Sequence, residues 1–356
     1  MAMFIRRYCH LGCLALALSS LLAAPHARAE KGEWIDVHVH PMGDKGNAEN
    51  FDQLGQTMVS IMDNTNMKSM VVMPPPGPKP QLNITDDLVA MKAKYGPRFT
   101  IMAAGSLNKM LVDTAKTGVV PDEVRQRFET FAEAQLTKGA IGFGEITALH
   151  ISHTPTHPFL EVSPDHPLML LLADIAARHD VPIDLHCDPL PEDIDTPSEF
   201  YSRLNPPRLK GNMAAMEKLL AHNRKAKIVW AHLGSHPMGF LPPQTARELL
   251  GRHPNLYFSI RPSVGNKPDY ILQSGSVDKN WIAVLQEFPD RFVIGTDSFI
   301  VSHNFTGNDA VRTLGMGGDK TRGAVPSLLF GLPDDLAIKI GYENAIRIYK
   351  LAPDVR

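Results

Sequence analysis

Cysteine is scarce in this 356-residue chain: there are three, and two of them, Cys9 and Cys13, fall within the first 29 residues. Without that leader Cys187 stands alone, so no intrachain disulfide can form. The fold must then hold by packing, which a chain of about 330 residues can do because it buries roughly three quarters of its surface. Charge of one sign is also lacking. Thirty-six Lys and Arg oppose 38 Asp and Glu, for a formal charge of −2, which gives no bulk attraction to nucleic acid or to an anionic membrane. A GxGxxG phosphate turn is missing after the first strand-like segment, where the chain reads HVHPMGD; this weighs against an open dinucleotide-binding sheet. No internal repeat or low-complexity tract is visible.

What the chain does have begins with its leader. Arg6 and Arg7 precede LGCLALALSSLLAA, and HARA ends on the small residues Ala27 and Ala29. This is the three-part pattern of a secretory signal peptide, cleaved after Ala29. The run is short for the ~30 Å of hydrocarbon that a membrane anchor must cross. Lipid attachment through Cys13 is disfavoured because much of the apolar run follows it. The expectation is an exported, periplasmic protein with no stable membrane anchor: residues 1–29 as signal peptide and 30–356 as a single domain.

The mature region opens on WIDVHVHPMG, residues 34–43. In a strand, Asp36, His38 and His40 would share one face and Ile35, Val37 and Val39 the other. Strand-like segments then recur: KSMVVMP, RFTIMAAG, AIGFGEI, VPIDLHC, KIVWAHLG, NLYFSIRP and RFVIGTDS. They end about 30 to 45 residues apart, room for a loop, a helix and a return. Apolar residues spaced three and four apart predict intervening helices in NFDQLGQTMVSIMDN, DDLVAMKAKY, PDEVRQRFETFAEAQL, PLMLLLADIAARH and NMAAMEKLLAHN. A last helix, PDDLAIKIGYENAIRIYK, would close the structure. Eight such units predict an α/β fold, a (β/α)8 TIM barrel. The patch MPPPGPKP, residues 73–80, reads as a stiff loop.

Chemistry in such a barrel sits at the C-terminal ends of the strands. His38 and His40 close the first strand, Glu145 the fourth, His186 the fifth, His232 the sixth and Asp297 the eighth. Each alone is as well explained by a satisfied core side chain; six donors converging from five strand ends are not. Imidazoles mixed with carboxylates suit a divalent metal, Zn²⁺ first and Mn²⁺ or Fe²⁺ also, over Ca²⁺ or Mg²⁺.

DVHVH, GFGEI, DLHCD, WAHLG and IGTDS, in this order, resemble the amidohydrolase superfamily. GYENAIRIYKL is similar to the C-terminal helix of its amidohydrolase-related branch. The resemblance runs from Trp34 to Leu351. It implies that His38 and His40 bind the more buried metal with Asp297 as a further ligand, that His186 and His232 bind a second, and that Glu145 bridges the two. Members nearest the C-terminal motif are often mononuclear, with His232 outside the metal's own ligands, so one ion or two stays open. The implied chemistry is hydrolysis of an amide, lactone, ester or phosphoester. Asp297 would take a proton from the attacking water and return it to the leaving group, while His232 helps polarise the bond under attack. The alternative within the superfamily is a metal-dependent non-oxidative decarboxylase or hydratase. A TatD-like nuclease gains no support from the charge, and an idle barrel has no need of six ligands.

Other residues admit more than one role. Asp36 reads either as a partner fixing an imidazole's tautomer or as a core carboxylate bonded to backbone. His150, His153, His157 and His166 would lie over the rim, touching substrate or solvent. Arg261 would clamp a substrate carboxylate or phosphate, or else form an internal ion pair. Arg203 and Arg208 read as surface charges and Cys187 as a small core residue. A small-molecule substrate is expected, with no nucleic acid partner; assembly as a homo-oligomer stays open.

Overall fold

The computed structural model describes residues 29–42, 51–76, 85–153, 157–200, 202–236, 238–265, 267–302 and 309–352. The expected signal peptide, apart from Ala29, and the second half of the Pro-rich loop lie outside the described residues. Among the described residues no helix is long and apolar enough to cross a membrane.

All eight expected strands form: β1 Trp34–Pro41, β2 Met67–Val72, β3 Phe99–Ile101, β4 Phe143–Thr147, β5 Pro182–His186, β6 Lys227–Leu233, β7 Leu256–Ile260 and β8 Phe292–Ile294. They pair in parallel in the order β3-β2-β1-β8-β7-β6-β5-β4. A parallel bridge between Ala103 and Phe143 joins the two ends of that order. Bonds from Ile141 N to Ile101 O at 2.8 Å and from Gly144 N to Ala103 O at 3.0 Å complete the seam. The sheet is therefore closed, and the protein is a (β/α)8 barrel. Val- and Ile-rich runs suit strands buried on both faces.

Two apolar clusters show which residues face which way. Trp34, Val39, Ile101, Leu185, Trp230, Phe258 and Ile294 pack outward against the helices. Ile35, Val37, Val71, Met102, Val229 and Val293 pack together although they come from β1, β2, β6 and β8 and the end of β3; only the barrel lumen can bring these together. Ala345, Ile348 and Tyr349, on the last helix, join this inner cluster and form the floor. Asn344 fixes that helix, donating at 2.8 Å to both Pro289 O and Phe292 O at the start of β8.

The inner cluster corrects one expectation. Ile35 and Val37 line the lumen, and so do His38 and His40, because the pairing of β1 with β2 shifts register between Asp36 and Val39. A bulge of this kind reverses the alternation, so the histidines follow the aliphatics inward instead of opposing them. The expected helices form with their ends shifted by at most one residue. Ser106–Thr117, Pro243–Arg252, Lys279–Glu287 and Asp309–Phe330 are additional helices, before β4, after β6, after β7 and after β8. The final helical segment is interrupted by a wide turn at Lys339–Glu343.

Candidate metal centre

His38 and His40 reach the mouth of the barrel with no exposed surface. The Nδ1 of His38 donates to Asp184, 3.0 and 3.1 Å from its two oxygens, and the Nδ1 of His40 donates to the Met73 carbonyl at 3.2 Å. An ionised carboxylate and a carbonyl are acceptors only, so in neutral rings both Nε2 atoms carry lone pairs. These two Nε2 atoms stand 3.1 Å apart. Two lone pairs facing each other at that distance require a shared cation or proton.

Carboxylates complete the arrangement. Glu145 Oε2 lies 3.3 Å from His40 Nε2 and 3.7 Å from His38 Nε2, while Asp297 Oδ1 lies 3.4 and 3.9 Å from the same atoms. The other oxygen of Glu145 turns to the second half of the site: Oε1 is 2.7 Å from His186 Nδ1 and 3.2 Å from His232 Nε2. Those two nitrogens are 2.9 Å apart. Ligand atoms within 4.8 Å of one another form three sets: His38, His40 and Glu145; Glu145, His186 and His232; and His38, His232 and Asp297. All six residues singled out in the sequence meet here. Glu145 Oε2 is buried without a hydrogen-bond partner, as expected of an atom that waits for an ion, and His232 Nδ1, on the far side of its ring from Glu145, is also unpartnered. The residues fit a divalent cation.

The electrostatics agree. Burial opposes a charge on His38, yet Asp184 and Glu145 beside it raise its pKa well above the usual imidazole value. Burial is likewise outweighed at His186, which Glu145 and Asp188 push up to about 10. Against burial, His38 and His186 hold Glu145 well below the carboxylate range, and His232 and Arg261 do the same for Asp297. His232 itself is lowered by burial. The cluster as a whole favours positive charge at its centre.

Local backbone aims the donors. His232 (φ 69°) and Asp297 (φ 56°) are both left-handed, a conformation costing a non-glycine residue about 1–2 kcal/mol. On β6 Val229 faces the lumen and Trp230 the helices, so plain alternation would send His232 outward. The left-handed turn, within a register shift between Trp230 and Leu233, brings its ring to Glu145. Gly295 lets β8 pass close to β1: a Cβ there would come within 3.0 Å of His38 Cβ and 2.9 Å of Ser259 Cβ. Asn108, fully buried on the additional helix, donates to Glu145 O at 2.7 Å and accepts from Thr147 N at 3.1 Å, holding the backbone on either side of Glu145.

Several single residues take definite roles. Asp36 does not hold an imidazole; it accepts from Thr296 N at 3.0 Å, from Thr296 Oγ1 at 2.5 Å and from His38 N at 3.2 Å. The carboxylate that fixes His38 is Asp184, which no local signal in the sequence marks, although it stands two residues before His186 as Asp36 stands before His38. His166 caps the helix Pro167–His179 by accepting from Leu168 N. Arg261 is half-buried at the mouth, its Nε 3.5 Å from Asp297 Oδ2. His150 stacks beside His186 with ring centres 4.7 Å apart, and His157 beside His150 at 4.3 Å. Arg203 is exposed, Arg208 pairs with Asp195 on the surface, and Cys187 is buried.

A protein-family model described as Amidohydrolase matches residues 35–351. No curated protein matches the chain. Among solved structures, an amidohydrolase II is 15% identical, covers 89% of this chain and 100% of its own, and has a TM-score of 0.52; it supports the fold. A dihydroxybenzoic acid decarboxylase from Polaromonas, with bound manganese, is also 15% identical, with 90% and 97% coverage and a TM-score of 0.48. A probable 2-pyrone-4,6-dicarboxylic acid hydrolase from Acinetobacter baumannii is 10% identical, with 89% and 99% coverage and a TM-score of 0.47.

Proposed function

The chain belongs to the amidohydrolase family, and from that premise we propose that it is an exported metal-dependent hydrolase with a two-ion site. One observation carries the proposal: the two oxygens of Glu145 address different histidine pairs, Oε2 toward His38 and His40 and Oε1 toward His186 and His232. A carboxylate so divided is suited to bridging. On this reading His38, His40 and Asp297 hold one ion, His186 and His232 the other, with Zn²⁺ the best match to the donors. A cation in this cluster supplies Lewis acidity and lowers the pKa of a water from 15.7 to about 7, providing a nucleophile at neutral pH.

The protein's own groups do the rest. Asp297 is held anionic beside Arg261, so it can accept the proton of the attacking water and pass it to the leaving group. His232, kept neutral by burial, has an unpartnered Nδ1 with which to hydrogen-bond the oxygen that gains charge. Arg261, 32% exposed, has guanidinium nitrogens left over from Asp297 for an anionic substrate group. The substrate is a small molecule with an amide, lactone, ester or phosphoester bond, met in the periplasm after loss of residues 1–29; residues 30–356 act as one domain.

Arg261 also favours a second reading. A cation at the mouth with one ion below it would suit a non-oxidative decarboxylase or hydratase holding a substrate carboxylate. Metal analysis of the purified mature protein, with a screen of lactones, aryl esters, N-acyl compounds and phosphotriesters, separates the two. Two ions per chain and turnover of a hydrolysable bond are expected. Carbon dioxide release with one ion per chain would establish the decarboxylase, and absence of metal with no activity on added Zn²⁺ or Mn²⁺ would remove both.

A further inference from the structure

The turn after β4 carries two imidazoles whose tautomers are fixed in opposite senses. His150 Nδ1 lies 2.8 Å from the Pro158 carbonyl, an acceptor, so it must be protonated and Nε2 keeps a lone pair. His157 Nδ1 accepts from the His153 amide at 3.2 Å, so in the neutral ring its Nε2 carries the hydrogen. The two ring centres lie 4.3 Å apart with the planes tilted by 32°, and His150 in turn lies 4.7 Å from His186, at the edge of the candidate metal centre.

The described residues on either side of this turn, 150–153 and 157, are held firmly. Asp188 accepts from Ile151 N at 3.0 Å, Asn205 bonds both N and O of Ser152 at 2.8 Å, and Ser152 Oγ lies 2.5 Å from His157 O and 2.6 Å from Ser202 Oγ. Such bracing from a distant loop gives the two rings a preset geometry.

We propose that His150 and His157 form a substrate subsite, an acceptor beside a donor, that reads a group able both to donate and to accept: a hydroxyl or a carboxamide. The subsite rests on the reading of the barrel mouth as a small-molecule site, but it requires neither a hydrolytic nor a decarboxylating reaction. A site built to hydrogen-bond a hydroxyl rejects its methyl ether, because the buried polar atoms then go unpaired.

The test uses glycolate and methoxyacetate, which share a carboxylate and differ only in that hydroxyl. Their binding to the purified, metal-loaded protein is measured by calorimetry, for wild type and for His150→Phe, His157→Phe and His157→Gln. Wild type should prefer glycolate by about tenfold, the worth of one well-made hydrogen-bond pair. His150→Phe removes the acceptor that only the hydroxyl can use, so it should lose most of that preference with methoxyacetate affinity unchanged; His157→Phe should weaken both probes, since the ether oxygen also accepts from His157 Nε2, and His157→Gln, which keeps a donor, should retain part of that affinity. Equal binding of both probes to wild type, or binding of neither, overturns the proposal. A preference that survives in His150→Phe also overturns it, since the hydroxyl is then read by the metal centre. If the Phe variants do not fold, His157→Gln and the wild-type comparison decide. Discrimination that depends on His150 in a protein inert toward every screened substrate would sink the reaction while leaving the subsite standing.

Discussion

Asp184 on β5 grips the Nδ1 of His38 on β1 across the barrel lumen, at 3.0 Å, and thereby turns the lone pair of the opposite nitrogen toward His40. Both side chains are wholly buried. The carboxylate thus sets the tautomer and orientation of an imidazole it never shares a strand with. Asp184→Ala should weaken metal affinity by about 10- to 100-fold, the usual effect of removing such a partner. Competition with a calibrated chelator measures it; unchanged affinity would mean that His38 keeps its orientation by packing alone.

Glu145→Gln tests the bridge. The amide is nearly isosteric but brings no charge and one donor face, so one of the two histidine pairs should lose its ion. Metal content should fall from two per chain to one, with turnover reduced by at least the ~10²-fold typical of losing a group that stabilises transition-state charge. A full complement of metal in this variant would place Glu145 outside the coordination sphere.

Removal of metal should destabilise the fold, because an ion that binds only the native state adds RT ln(1 + [L]/Kd), about 2.7 kcal/mol at a hundredfold excess over Kd. A chelator should lower the melting temperature of wild type and have little effect on His38→Ala. Identical melting with and without chelator would contradict an ion held among these buried donors.

Asn108 supplies a positioning test away from the ligands. Asn108→Ala leaves Glu145 O and Thr147 N without their partners and should cost about 1–3 kcal/mol for each group stranded in the interior. Denaturant unfolding gives the stability. Metal affinity should fall as well, since Glu145 loses its backbone clamp; a loss of stability with affinity intact would make Asn108 purely architectural.

Asp269 predicts a pH dependence. Burial raises its pKa from 3.8 to about 6, outweighing the backbone N–H groups of Asp269 and His236 and the charge of Lys267, which lower it. A raised folded pKa means that the folded state holds the proton more tightly than the unfolded chain. Stability from this group is complete below pH 3.8 and is lost as pH rises through about 6. Asp269→Asn should therefore raise stability by roughly 2 kcal/mol at about pH 7.5 and change little near pH 4. Equal stabilisation at both pH values would point to a cause other than ionisation.

The strands and most helices were legible because their signals are local. Val- and Ile-rich runs, the three-and-four spacing of apolar residues and the recurrence of both mark a barrel whatever the loops do. The six donors were legible for the same reason: each stands near the end of a readable strand. Less legible were features made by pairing. Ser106–Thr117 begins after a glycine without a capping side chain, so no start signal marks it. Asp184 looked like one more polar residue, because its partner lies 146 positions away.

The sequence by itself determined the barrel and the donors, since periodicity and residue type are properties of short stretches. The tertiary structure alone decided where those donors point. On β1 a slip in pairing with β2 brings His38 and His40 inward after Ile35 and Val37, and on β6 a left-handed residue turns His232 away from the helices that Trp230 faces. Register and backbone twist arise from contacts between strands, and a one-residue shift exchanges the two faces of a strand. No stretch of sequence taken alone carries that choice.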